Sequence, residues 1–95
     1  MTLAVFATIT PKPEHLDAAR QAIVGILQDT RAEAGCLTFD LHEDPVAGKL
    51  YLYEIWSGQA ALDAHYAQPY TKAVCQAYEL WLAAPVESVL MQPVA

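Results

Sequence analysis

Hydrophobic positions along the chain follow two spacings, and each spacing predicts one type of secondary structure. Alternating or β-branched-rich stretches, which are typical of strands, occupy four segments: 2–10, 36–44, 50–56 and 86–94. Apolar residues at intervals of three and four, which are typical of helices, occupy two regions: 13–34, and 58–67 continued by 69–83. The predicted order is therefore strand, helix, strand, strand, helix, strand.

Turn and cap residues mark the ends of these elements. Pro13 suits a first helical turn, where its missing N–H needs no partner. Gly35 is the predicted C′ residue that ends the first helix, and Ser57 is the predicted N-cap of the second. Pro69 breaks that second helix and begins its continuation. Residues 45–49 contain Pro and Gly between two strands and therefore predict a hairpin.

This order of elements predicts the α+β class and a ferredoxin-like βαββαβ fold, with both helices on one face of a four-stranded antiparallel sheet. Hydrophobic residues make up 55% of the chain, above the usual value of about 45–50%. Both faces of the first strand carry apolar residues: Leu3, Val5, Ala7 and Ile9 on one, Ala4 and Phe6 on the other. We therefore expect a homodimer in which the open faces of two sheets pack together.

Length and charge exclude several classes of function. The 95 residues are expected to form a single domain, 1–95. The net charge is −6 and the five Lys and Arg residues are spaced singly, so neither nucleic acid nor an anionic membrane surface is an expected partner. No apolar run approaches the roughly 20 residues of a transmembrane helix, and Met1-Thr2-Leu3 lacks a basic leader, so a cytoplasmic location is expected. Cys36 and Cys75 are expected to be free thiols.

Aromatic residues cluster where the third strand runs into the second helix. Residues 51–66 carry three of the five tyrosines, one of the two tryptophans and His65. Such a cluster would line a small, mostly apolar cavity, although the same rings also suit the core of a small domain. His65 is the best candidate for a general base, because the unperturbed pKa of histidine lies near neutral pH. The candidates for contact with a bound small aromatic molecule are Trp56, Tyr53, Tyr66 and Tyr70.

The other ionisable residues are weaker candidates. His42 lies on a polar strand face, where it can be solvated or lie at the dimer contact, and His15 lies among charged residues of the first helical turn. Glu54 is expected to form a structural ion pair, with Lys49 the nearest basic residue in the sequence. The chain has no H-E-x-x-H motif, no paired cysteines and no glycine-rich phosphate loop, so neither a metal nor a cofactor is expected.

Six short motifs follow one another at a characteristic spacing: Lys12-Pro13, Glu33-Ala34-Gly35-Cys36-Leu37, Asp44-Pro45, Tyr53-Glu54-Ile55-Trp56, Ala60-Ala61-Leu62-Asp63-Ala64-His65 and Gln68-Pro69. In these motifs the chain resembles the antibiotic biosynthesis monooxygenase family, above all its quinol-monooxygenase-like members. The resemblance implies a dimeric α+β barrel with a small cavity between each protomer's sheet and helices. It also implies oxidation of quinol- or anthrone-like aromatics by dioxygen without metal or flavin, while other relatives degrade haem or isomerise phosphorylated diones.

The chain departs from the family pattern at two positions. Leu52 stands where relatives that oxidise polycyclic substrates have a polar amide, and Tyr70 stands where many relatives have histidine. Three functions remain open: a cofactor-independent monooxygenase of a small quinol-like aromatic, an acid–base isomerase of a small carbonyl compound, and a non-enzymatic dimeric binder of a hydrophobic small molecule. Residues 51–71 contain no Lys or Arg, which disfavours the isomerase.

Overall fold

The computed structural model describes residues 1–95 and has a four-stranded antiparallel sheet with helices on one face. The strands are β1 (Leu3–Ile9), β2 (Cys36–Asp44), β3 (Lys49–Trp56) and β4 (Glu87–Met91). The helices are a 3₁₀ turn (Pro13–His15), α1 (Leu16–Val24), α2 (Leu27–Arg31), α3 (Gln59–Tyr66) and α4 (Pro69–Trp81). The strand order β2-β3-β1-β4 confirms the predicted ferredoxin-like fold.

The register of the sheet places the hydrophobic core on its helix-covered face. β1 pairs with β3 from Leu3↔Trp56 to Ile9↔Leu50, and it pairs with β4 on its other side. Alternate residues of β1 and β3 are buried, and in β1 the buried residues are those of one predicted face: Leu3, Val5, Ala7 and Ile9. The largest fully buried side chains on this face are Trp56, Phe39, Ile9, Leu50 and Val5.

The helix predicted over 13–34 is divided into shorter segments. Ile26, between α1 and α2, has φ −110° and ψ 1°, and its N–H donates to the Ile23 carbonyl three residues back instead of four. Gly25 precedes it, and glycine weakens a helix interior by about 1 kcal/mol relative to alanine. The tightened turn buries both Ile23 and Ile26, so burial of these side chains favours the break.

Two local predictions, one for a helix cap and one for a strand face, were wrong. Ser57 is not the N-cap of α3, because Gly58 occupies that position without a side-chain cap. The alternation of residues 36–44 predicts that Leu37 and Phe39 share one face of the strand. The register of β2 instead shifts between Cys36 and Thr38 and leaves Leu37 exposed.

Gly35 has a packing role instead of the predicted helix-ending role. The preceding helix already ends at Arg31, and only Gly48 has a positive φ. A Cβ at Gly35 would lie 2.2 Å from the Cβ of Ala61 and 2.7 Å from Oγ of Ser57. The Ser57 N–H also donates to the Gly35 carbonyl at 2.8 Å. Gly35 therefore allows the start of β2 to approach α3 closely.

Replacing Gly35 with alanine is expected to lower the free energy of unfolding by about 1–3 kcal/mol, because the new methyl overlaps Ala61. Urea denaturation measures the change. Gly58→Ala is the matched control, since its Cβ would meet only the Met1 carbonyl at 3.9 Å and should alter stability by about 0.5 kcal/mol or less. Equal stability of Gly35→Ala and the parent protein would contradict the close contact.

The sheet face away from the helices, called the open face below, carries a cluster of large apolar side chains: Phe6, Tyr51, Tyr53, Ile55, Val89 and Met91. Phe6 lies at its centre, in register with Tyr53 on one side and Val89 on the other. The rings of Phe6 and Tyr51 stack with centroids 5.7 Å apart. Phe6 is 39% exposed and Val89 is 55% exposed, so apolar surface from three adjacent strands meets water.

The sequence predicts free cysteines and no membrane-spanning helix. Cys36 and Cys75 are both free, as predicted. None of the helices is long and apolar enough to cross a membrane.

Candidate functional site

A cavity of about 90 Å³ lies between the sheet and the helices. Ten of its fourteen lining residues are hydrophobic, contributed by β1, β2, β3, α1 and α4 among other segments. The remaining four are Glu54, His65, Thr71 and Ser88. An apolar cavity with a few polar groups is typical of a small-molecule site. Its volume lies below the roughly 300–1,000 Å³ of drug-sized pockets, which restricts a ligand to about one ring.

His65, on α3, is only 4% exposed and is hydrogen-bonded to a carboxylate. Its Nδ1 lies 2.9 Å from Oε2 of Glu33, in the loop that follows α2. An ionised carboxylate can only accept, so Glu33 holds the imidazole proton on Nδ1 and leaves the lone pair of Nε2 free. A carboxylate that orients a histidine in this way is the arrangement found in enzymes that use histidine as a base.

Tyr70, at the start of α4, completes this hydrogen-bonded group. Its hydroxyl donates to the same Oε2 atom of Glu33 that His65 contacts. Partial burial and this hydrogen bond raise the pKa of the Tyr70 hydroxyl, which keeps it protonated as the donor. Two donors from two helices therefore fix one carboxylate oxygen, and that oxygen fixes the imidazole.

Aromatic rings surround the imidazole of His65. The ring centroids of Trp56, Phe39 and Tyr66 lie 4.8, 5.5 and 5.7 Å from it. Trp56 is fully buried and does not line the cavity. Trp56 therefore supports His65 by packing.

Glu54 is a buried carboxyl group on β3 without a basic partner. Its Oε1 accepts a hydrogen bond from Nε1 of Trp56 at 2.9 Å. The expected ion pair with Lys49 is wrong, because the two residues lie on opposite faces of the strand. Burial raises the pKa of the Glu54 carboxyl, and the hydrogen bond from Trp56 opposes that rise only in part.

Glu54→Gln is expected to be more stable than the parent protein at pH 8. Because the pKa of Glu54 is raised on folding, its stabilising contribution is present below the ordinary glutamate pKa of about 4.3 and is lost as pH rises through the raised pKa. The two proteins should converge in free energy of unfolding near pH 4, as measured by urea denaturation between pH 4 and 8. Glu79→Gln, at an exposed position, is the control. A stability advantage of the parent protein that grows with pH would contradict this expectation.

The structure brings four of the five sequence-predicted site residues together. His65 and Tyr66 line the cavity. Trp56 contacts the ring of His65, and Tyr70 is linked to His65 through Glu33. Neither Trp56 nor Tyr70 lines the cavity, so their predicted contact with a molecule bound there is corrected.

Tyr53 lies apart from the other four predicted residues. It lies on the open face in register with Phe6 and is 39% exposed. Neighbours along a strand point to opposite faces, and Glu54 takes the cavity side. The prediction that Tyr53 lines the same cavity is therefore corrected.

The other histidines lie away from the cavity. His42 is exposed and in register with Tyr51 on the open face. His15 is half-buried and stacks on Trp81 with ring centroids 6.2 Å apart, so it is less solvated than predicted. No group of three His, Cys, Asp or Glu side chains is arranged to hold a metal ion.

A surface groove adjoins the cavity. It has a volume of about 460 Å³ and lies between α4 and the segment 82–86. Cys75 and Val86 line both the groove and the cavity, so the two meet at these side chains.

Known proteins are similar to this chain in both sequence and fold. The family model described as "Antibiotic biosynthesis monooxygenase" matches residues 2–77. The Mycobacterium tuberculosis protein named "Putative monooxygenase Rv0793" is 36% identical over 92 residues, which cover 96% of this chain and 90% of that protein. The solved structure of Rv0793 matches with a TM-score of 0.95 over 100% of this chain and 97% of its own, at 30% identity. That of PA3566 from Pseudomonas aeruginosa matches with a TM-score of 0.91 at 32% identity, over 99% and 95% of the two chains. The chain therefore belongs to the antibiotic biosynthesis monooxygenase family.

Proposed function

We propose that this protein is a cofactor-independent monooxygenase that oxidises a small quinol-like aromatic with dioxygen. The observation that carries the proposal is the His65–Glu33 pair at the wall of a small apolar cavity. Oxidation of a quinol by dioxygen requires a base that forms the electron-rich phenolate and an apolar site for both reactants. The family to which the chain belongs supports the reaction class.

The proposed reaction begins with proton transfer from the substrate hydroxyl to Nε2 of His65. The Glu33 carboxylate stabilises the resulting imidazolium through Nδ1. The phenolate then transfers electrons to dioxygen, and a C–O bond forms at a ring carbon. Loss of water from the resulting hydroperoxide leaves one oxygen atom in the product and one in water. All four electrons come from the substrate, so the reaction needs no external reductant.

Charge at the cavity favours a neutral ligand. No Lys or Arg lines the cavity, while the Glu54 carboxyl does. A phosphate or carboxylate group would meet no compensating cation there, and its desolvation would be costly. A phosphorylated carbonyl compound, as an isomerase of the family would take, is therefore disfavoured relative to a neutral quinol.

The donor for the developing negative charge on the substrate is proposed to be Tyr66. It lines the cavity beside His65, with ring centroids 5.7 Å apart. Tyr66 is 48% exposed, and its partial burial raises the pKa of the hydroxyl, so the group stays protonated and able to donate.

The open face supports a homodimer as the proposed assembly. Its apolar side chains extend over β1, β3 and β4 and are continuous in register. A second copy of the same face would bury them by stacking sheet on sheet about a two-fold axis.

Oxygen uptake tests the proposed function. A panel of single-ring quinols is supplied to the protein with a metal chelator present, and ¹⁸O₂ labelling follows the product. We expect uptake above the buffer rate, with one labelled oxygen atom in each product molecule. Uptake equal to the buffer rate for every quinol would overturn the monooxygenase proposal, and binding without turnover would favour the non-enzymatic binder.

A further inference from the structure

We propose that Thr71 is a specificity-determining residue, whose hydroxyl binds a second oxygen of the ring substrate and so selects dihydroxylated rings over monohydroxylated ones. This inference rests on the proposed function, because the two oxygens are those of a quinol. Its test is a binding measurement, which stands apart from oxidation.

The first observation is an unpartnered hydroxyl at the cavity. Thr71 is only 5% exposed and lines the cavity, and its Oγ1 has no hydrogen-bond partner in the protein. Buried hydroxyl groups are nearly always hydrogen-bonded, because leaving one unpaired costs free energy. A polar group of a ligand in this cavity would supply the missing partner.

The second observation is the position of Thr71 in its helix. It is the third residue of α4, a helix of 13 residues whose N-cap provides no side-chain hydrogen bond. Backbone N–H groups in a first turn lack intrahelical partners, and the helix dipole favours negative charge there. This end of the cavity therefore suits an oxygen atom that carries partial negative charge.

The third observation is the placement of polar groups around one small volume. Thr71 belongs to α4, His65 to α3 and Glu54 to β3, and all three line the same cavity of about 90 Å³. Because the cavity holds about one ring, a single ligand fills it and contacts more than one of these three residues. A ring with one oxygen can satisfy His65 or Thr71, whereas a ring with two can satisfy both.

The chain offers a matched control for the loss of this hydroxyl. Thr30, on α2, is also buried with an unpartnered Oγ1, but it does not line the cavity. Valine replaces threonine at nearly the same size and removes only the hydroxyl. Thr71→Val and Thr30→Val therefore delete the same group inside and outside the site, and Thr71→Ser keeps the hydroxyl in the site.

The experiment measures dissociation constants for hydroquinone and for phenol by calorimetry without oxygen, so that no turnover occurs. The parent protein should bind hydroquinone more tightly than phenol. Thr71→Val should weaken hydroquinone binding by about 3- to 10-fold, the value of one neutral hydrogen bond, and leave phenol binding unchanged. Thr71→Ser and Thr30→Val should both keep the preference for hydroquinone.

Three outcomes would overturn the proposal: a parent protein without preference for hydroquinone over phenol, an equal loss for both ligands in Thr71→Val, or the same loss in Thr30→Val. The oxygen-uptake assay separates this test from that of the proposed function. Selectivity that depends on Thr71 without any oxygen uptake would support the binding role and refute the monooxygenase. Oxygen uptake without such selectivity would support the monooxygenase and refute the binding role of Thr71.

Discussion

Replacing His65 with alanine is expected to lower the turnover of a quinol by about 10²–10⁴-fold, the usual contribution of a general base. His65 is buried at the cavity wall, and its Nδ1 is held by Glu33, so only Nε2 is available to take the substrate proton. Steady-state oxygen uptake measures the change, and far-ultraviolet circular dichroism checks that the variant is folded.

Two further variants separate catalysis by His65 from a general effect on the fold. His42→Ala changes an exposed histidine remote from the cavity and should leave turnover nearly unchanged. Glu33→Gln keeps the shape of the side chain but removes the charge opposite Nδ1. Because Glu33 does not line the cavity, this variant should lower kcat and leave KM nearly unchanged. Full turnover in His65→Ala, or a loss confined to His42→Ala, would identify a different base.

Replacing Phe6 with glutamate is expected to convert the proposed dimer into a monomer. Phe6 lies at the centre of the open face, between Tyr53 and Val89 in register. Dimerisation of the variant would bury two carboxylates without partners, at a cost of at least about 2 kcal/mol, or about 30-fold in the dissociation constant. Sedimentation at micromolar concentration distinguishes the two states.

Leu80→Glu is the matched control for this prediction. Leu80 is 71% exposed but lies on α4, away from the open face, so this variant should remain a dimer. A parent protein that sediments as a monomer, or a dimer that survives in Phe6→Glu, would show that the open face is not the dimer contact.

The order of elements and the division of β1 into two faces could be predicted because they depend on periodicity and on Pro and Gly breaks within each segment. Alternation assigns each strand residue to a face without knowledge of the rest of the chain. The break at Ile26 could not be predicted, because it depends on how Ile23 and Ile26 pack into a core formed by other elements.

Most of the candidate site depends on contacts between distant parts of the chain. His65 could be selected from its residue type and its aromatic neighbours in sequence. Glu33 lies 32 residues before it and follows no known spacing, so their hydrogen bond appears only in the folded chain. Thr71 carried no signal either, because the lack of a partner for its hydroxyl is a property of the surrounding packing.

The close approach at Gly35 has a consequence for the evolution of this site. Gly35 lies two residues after Glu33, and Ala61 lies one helical turn before His65 on the same face of α3. The contact between these two small residues therefore holds together the segments that carry Glu33 and His65, the proposed catalytic pair. Bulkier side chains at either position would move both partners apart while they strain the core. Substitutions at Gly35 or Ala61 should consequently lower activity and stability together. The loss caused by a larger residue at Gly35 should be restored only by a smaller residue in place of Ala61.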